Sequence, residues 1–239
     1  MIRSVSPRPV RPDPATRLAA DWRRVSLIGL AFLILWDASG LDLPLARLFG
    51  DGHGFYLRGS YLLEVVLHQR ARDAGWLLLA AIAAAGCFPA GLLRSLTFRE
   101  RLALWMLPLL CLLAVTLLKY GSATSCPWDL REFGGTVGHV SHWMPGVVDG
   151  GGGHCFPAGH ASTGFAFMAG FFVLARAHPG LALAWLGGAL VTGVLLGLSQ
   201  QMRGAHFASH TLWTAWVCWT LGGLAHRALV LQVPAAKAA

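Results

Sequence analysis

The chain has 239 residues, 55% of them hydrophobic and only 13% charged, with a mean hydropathy of +0.56. Soluble domains carry about a quarter charged residues, so this composition excludes an ordinary soluble globular protein and points to a polytopic membrane protein of one domain. The formal net charge of +8 does not mark a nucleic-acid binder: Arg3, Arg8, Arg11, Arg17, Arg23 and Arg24 all precede the first apolar run, as in a cytoplasmic flank, and no basic helix or aromatic-interleaved stripe accompanies them.

Residues 1–24 are rich in Pro and Arg, lack periodicity and read as a disordered cytoplasmic tail. The remainder, 25–232, reads as an all-α, polytopic bundle of about six transmembrane helices. The first span covers about 25–45, with Asp37 and Asp42 near its outer end. The run Val25–Trp36 resembles a signal-peptide core, but no small-residue cleavage site follows, so it reads as an uncleaved span. Residues 46–72 mix Phe55, Tyr61, Leu62, Leu63, Val65, Val66 and Leu67 with Arg58, Glu64, His68 and Arg70, which predicts an amphipathic helix lying on the outer leaflet. Span two runs about 74–93 and is followed by Arg94, Arg99 and Arg101 at a cytoplasmic turn; span three runs about 102–118 and ends at Lys119. A glycine-rich polar loop, 119–155, leads to Phe156-Pro157-Ala158-Gly159-His160, which opens a fourth apolar run reaching Arg176. Spans five (181–200) and six (207–230) are joined by a short loop around Arg203-Gly204. With the N-terminus inside, Lys119, His160 and the Arg203–His210 segment all fall at the outer face.

His160 would sit on the first turn of its helix, where unpartnered N–H groups, those of Ala158 and Gly159 among them, can cradle an anion. A helix-capping role is the bland alternative. Arg203, His206 and His210 are spaced three and four apart and share a helix face. His206 and His210 could also be a metal pair, but no adjacent carboxylate supplies a third ligand, so no metal and no cofactor is expected.

Together these motifs resemble the membrane-bound phosphatidic acid phosphatase type 2 family, which shares its core with vanadium haloperoxidases. That family carries K-x6-R-P, P-S-G-H and S-R-x5-H-x3-D in order. Here they read Lys119-x6-Cys126-Pro127, Pro157-Ala158-Gly159-His160 and Ser199-Gln200-x5-His206-x3-His210. Two arginines and the aspartate of the pattern are thus Cys126, Gln200 and His210. Arg131 and Arg203 are the expected replacement cations. Cys126 and Cys155 both fall in the outer loop and are expected to pair in an oxidising periplasm.

The resemblance implies phosphoryl transfer through a phosphohistidine on His206, with His160 as general acid and Lys119, Arg131 and Arg203 holding the phosphoryl oxygens. His210, Asp129 or Glu132 would orient His206. The expected substrate is a phosphorylated lipid met at the periplasmic face of a bacterial inner membrane. Membrane lipids are the other partners, and the oligomeric state is open. A lipid-to-lipid phosphotransferase and an inactive lipid-phosphate binder are the alternatives within the family. A thiol–disulfide oxidoreductase is disfavoured by the lack of a C-x-x-C pair. A haem protein is disfavoured because the histidines cluster at span ends.

Overall fold

The computed structural model describes residues 13–144 and 146–231. It is mostly helical, with 70% helix and 3% strand. The expected tail is corrected in its second half. Asp13 caps a short helix, α1 (Pro14–Ala20), by accepting from the N–H groups of Ala15 and Thr16, and Ala15 and Trp22 are buried. The part of that tail before residue 13 lies outside the described residues.

Helix α2 (Trp22–Ser39) leads into a one-turn helix, α3 (Asp42–Ala46), and a two-stranded hairpin, β1 (Gly50–Asp51) with β2 (Gly54–Phe55). The hairpin departs from the all-helical expectation. The helix predicted to lie on the leaflet is corrected as well. Leu62–Arg70 is π-helical and runs without a break into α4 (Ala71–Cys87), so its polar residues stand at one end of a bundle helix. Helix α5 (Phe98–Tyr120) starts from a capping box, Thr97 with Glu100.

The run after His160 forms α6 (Ser162–Phe165) and α7 (Ala169–Leu174), joined by a tighter turn at Ala166–Met168. Nearly every residue from Ala161 to Ala175 is buried. Apolar on all sides, this segment is the central element of the bundle, enclosed by α5, by α8 (Pro179–Met202) and by α9 (Ala208–His226). A Cβ on Gly164 would lie 2.3 Å from the backbone nitrogen of Gly193, so α6 and α8 cross at backbone contact. On α9 the indoles of Trp213, Trp216 and Trp219 donate to Asp37 and to the carbonyls of Ser26 and Trp22, fastening α9 to α2. At the opposite end from the histidines, Arg176 donates to both carboxylate oxygens of Glu100 at 2.7–2.9 Å and ties the end of the central segment to the start of α5.

Two apolar cores result. One runs through the bundle; the other, of Ala46, Phe55, Leu130, Phe133, Val137 and Phe207, forms a cap over the histidine end. Gly204 has φ +77°, and a side chain there would collide with the Phe55 ring, so this glycine lets the α8–α9 loop pass under the cap. Among the described residues, α5 and α8 are long and apolar enough to cross a membrane by length and composition.

Candidate active site

The three motifs meet in one cavity of about 790 Å³, lined by Lys119, Cys126, Gly159, His160, Gln200, Arg203 and His206 among others. Each comes from an element end: Lys119 from the last turn of α5, His160 from the turn before α6, Arg203 and His206 from the α8–α9 loop.

His206 is held through one ring nitrogen. Its Nδ1 lies 2.8 Å from the Cys155 carbonyl oxygen and 3.4 Å from Nδ1 of His210. A carbonyl only accepts, so Nδ1 carries the proton and Nε2 keeps its lone pair. Burial, followed by the Lys119 charge, pushes the His206 pKa down to about 3. The ring is therefore neutral, with the Nε2 lone pair available for attack.

Cys155 is joined to Cys126 by a disulfide with 5.2 Å between the Cα atoms. The expected pairing is present, and the bond anchors the backbone carbonyl that fixes His206. Neither loop carboxylate considered for this task reaches it. Asp129 accepts from the Cys126 N–H at 3.2 Å, and Glu132 pairs with Arg47. His210, fully buried, stands beside His206.

His160 has Nε2 2.6 Å from the Leu67 carbonyl oxygen and its ring 4.4 Å from that of His68. Burial lowers its pKa to about 4, with the Leu67 contact opposing and the charges of Arg72 and Arg203 assisting. An anion in the cavity would reverse that balance by favouring the protonated ring.

The cations are arranged differently from expectation. Lys119 donates to the His154 carbonyl and lies against Gly159, where an added Cβ would sit 3.2 Å from its Cδ. His154 holds φ 55°, an uncommon conformation for a non-glycine residue. Arg203 donates to Gln200 Oε1 at 3.2 Å, to the Arg58 carbonyl at 3.1 Å, and faces Glu64 at 3.3 Å. The glutamine in the motif's arginine position thus steadies an arginine three residues further on. Arg131 is not brought to the cavity; it is exposed and bonds to the Thr136 carbonyl within its own loop. Arg72 lines the cavity instead, with Glu64 and His68. The signal was the four-residue spacing of Glu64, His68 and Arg72, which puts them along one side of a helix. The Ala158 N–H is also not available to an anion, because it donates to the His210 carbonyl at 3.1 Å. The N–H groups of Gly159 and His160 have no acceptor among the described residues.

The cavity shares Gly75, Thr163 and Phe167 with a neighbouring apolar groove of about 540 Å³ between α4, α6 and α8, floored by small residues such as Ala71, Gly164 and Gly188.

No curated protein and no solved structure matches this chain. The family model described as PAP2 superfamily matches residues 74–233, which include all three motifs and exclude Glu64, His68 and Arg72. The chain belongs to the PAP2 superfamily, whose members are phosphatases, and this supports hydrolysis of a phosphoric ester in general.

Proposed function

We propose that the protein is a membrane phosphatase that removes a phosphate or diphosphate headgroup from a lipid through a phosphohistidine intermediate. The observation that carries this reading is His206, neutral and with Nδ1 engaged, on a cavity that also holds His160, Lys119, Arg203 and Arg72. Nε2 of His206 attacks phosphorus. The ester P–O bond breaks, and the leaving oxygen takes its proton from His160. Lys119, Arg203, Arg72 and the N–H groups of Gly159 and His160 hold the non-bridging oxygens, where negative charge must be stabilised. Water then attacks the phosphorylated ring and releases inorganic phosphate and neutral His206.

Two features support a lipid substrate. The apolar groove continues from the polar cavity, as an amphiphile requires. The outward faces of the helices also carry exposed apolar side chains, among them Leu27 and Leu35 on α2, Leu77 on α4, Leu117 on α5 and Val191 and Leu195 on α8. In this reading α2, α4, α5, the α6–α7 segment, α8 and α9 are six spans. The arginine-rich start is cytoplasmic, and the cavity with its disulfide opens at the periplasmic face.

The test is phosphate release by purified protein in detergent micelles, offered phosphatidic acid, a polyprenyl diphosphate and lipid A. Wild type releases phosphate from at least one. His206→Ala loses at least about 1000-fold in kcat, and His160→Ala about 100–10,000-fold, the range typical of general acid–base catalysis. Equal release by wild type and His206→Ala overturns the assignment of the nucleophile.

A further inference from the structure

Behind His206, on the side away from the cavity, the buried groups continue. His210 has Nδ1 3.4 Å from Nδ1 of His206. Its ring meets that of His142 edge-on, with centroids 6.2 Å apart. His142 Nε2 lies 3.2 Å from Oδ2 of Asp37, whose side chain is only 7% exposed. That same oxygen accepts from the indoles of Trp143 and Trp213, both at 2.9 Å. The other carboxylate oxygen, Oδ1, is buried and has no hydrogen-bond partner among the described residues. A small second cavity of about 90 Å³ is lined by Asp37, Asp42, His139, His142 and His210. Asp42 is already engaged, accepting from the Ser209 N–H and hydroxyl and from the Trp36 indole.

A buried carboxylate with an unused oxygen costs free energy unless a positive charge forms near it. Such a charge forms here during the reaction. Attack by Nε2 turns a neutral ring into a phosphoimidazolium that still bears its Nδ1 proton. On its cavity side stand the cations Lys119 and Arg203, and the cavity's carboxylate, Glu64, is paired with Arg203. The Cys155 carbonyl offers a dipole and no charge.

We propose that Asp37, acting through His142 and His210, is the positioning carboxylate of this site and supplies the counter-charge for phosphorylated His206. The inference rests on the phosphohistidine reading. It brings in a residue of α2 outside the matched family region, and it accounts for a histidine standing where the motif's aspartate would. His142 is stacked on Phe156 with ring centroids 4.1 Å apart and planes 4° apart, which holds it between the carboxylate and His210.

The test is steady-state kinetics of Asp37→Asn, Asp37→Glu and His142→Gln beside wild type and His206→Ala, on a substrate that wild type hydrolyses, with thermal unfolding recorded for each. Asp37→Asn is expected to lower kcat about 10–100-fold, as groups that orient a catalytic side chain do, with KM within twofold of wild type. Asp37→Glu, which keeps the charge, is expected to recover most of that loss, and His142→Gln to lower kcat in the same direction. A merely structural role would lower the unfolding temperature and leave kcat per folded molecule unchanged. Should Asp37→Asn fail to fold, His142→Gln decides. A silent His206→Ala together with kcat within twofold of wild type in the folded variants overturns the role of Asp37 alone. Undiminished activity of His206→Ala overturns the nucleophile and this inference together.

Discussion

His160 and His206 sit within one cavity yet face opposite demands. In the proposed mechanism His206, as nucleophile, must be neutral and His160, as general acid, must be charged. Burial serves the first and works against the second, holding His206 near 3 and His160 near 4. The free enzyme therefore has both rings in their working forms only in a narrow acidic window. We predict that kcat/KM, which reports the free enzyme, rises as pH is lowered from 7 toward 4, by up to about tenfold per unit as His160 becomes protonated. The same limb in kcat lies at higher pH, because the bound phosphate favours the imidazolium. Rates from pH 4 to 8 check this: His160→Ala should lose the limb, and a flat kcat/KM in wild type contradicts the assignment. Lys119, His160, Arg203 and His206 were legible in the sequence because chain order and spacing put them at span ends. Arg131 stands outside the cavity because its loop folds back on itself, which neither its charge nor its outer position signals in the sequence. Arg72 was missed because the stretch before it read as lying flat on the membrane, where an arginine is unremarkable.

At the scale of elements, the Cys126–Cys155 bond does two things. Closing a loop with a sequence separation of 29 stabilises the fold by roughly 3–4 kcal/mol in the chain-entropy model. It also fixes the carbonyl that orients His206. We predict that Cys126→Ala/Cys155→Ala, assayed below its own unfolding temperature, retains KM within about threefold but loses about 10–100-fold in kcat, as when an orienting partner is removed. A double variant with full kcat would show that the peptide holds its place unaided. The α6–α8 crossing makes a second prediction. Gly164→Ala forces a methyl group onto the Gly193 backbone, which has no rotamer to yield. A loss of about 1–3 kcal/mol is expected, typical of overpacking, visible as a lower unfolding temperature in detergent. The apolar run after His160 was readable as a helix. Its burial on all sides was not, because length and composition do not tell a lipid-facing helix from an enclosed one. The indoles of Trp213, Trp216 and Trp219 pack α9 against α2, each bonded to an α2 carbonyl or side chain.

For the molecule as a whole, the buried histidines make stability depend on pH. In the unfolded chain they return to about 6.5, so between roughly 3 and 6.5 the unfolded state binds more protons than the folded one. Stability is therefore complete above about 6.5 and declines as pH falls through that window. The unfolding temperature should be level above pH 7 and drop by several degrees by pH 5, each kcal/mol being worth about 2–4 °C at this chain length. His206→Gln should reduce the slope, and a temperature unchanged down to pH 4 contradicts the reading.

The wall that Gly75, Thr163 and Phe167 form between the polar cavity and the apolar groove is shared by both spaces. A molecule cleaved across that wall yields one water-seeking fragment and one oil-seeking fragment, each already on its own side. In the proposed two-step reaction the oil-seeking fragment departs first, along the groove, while the phosphoryl group stays on His206 in the cavity until water releases it.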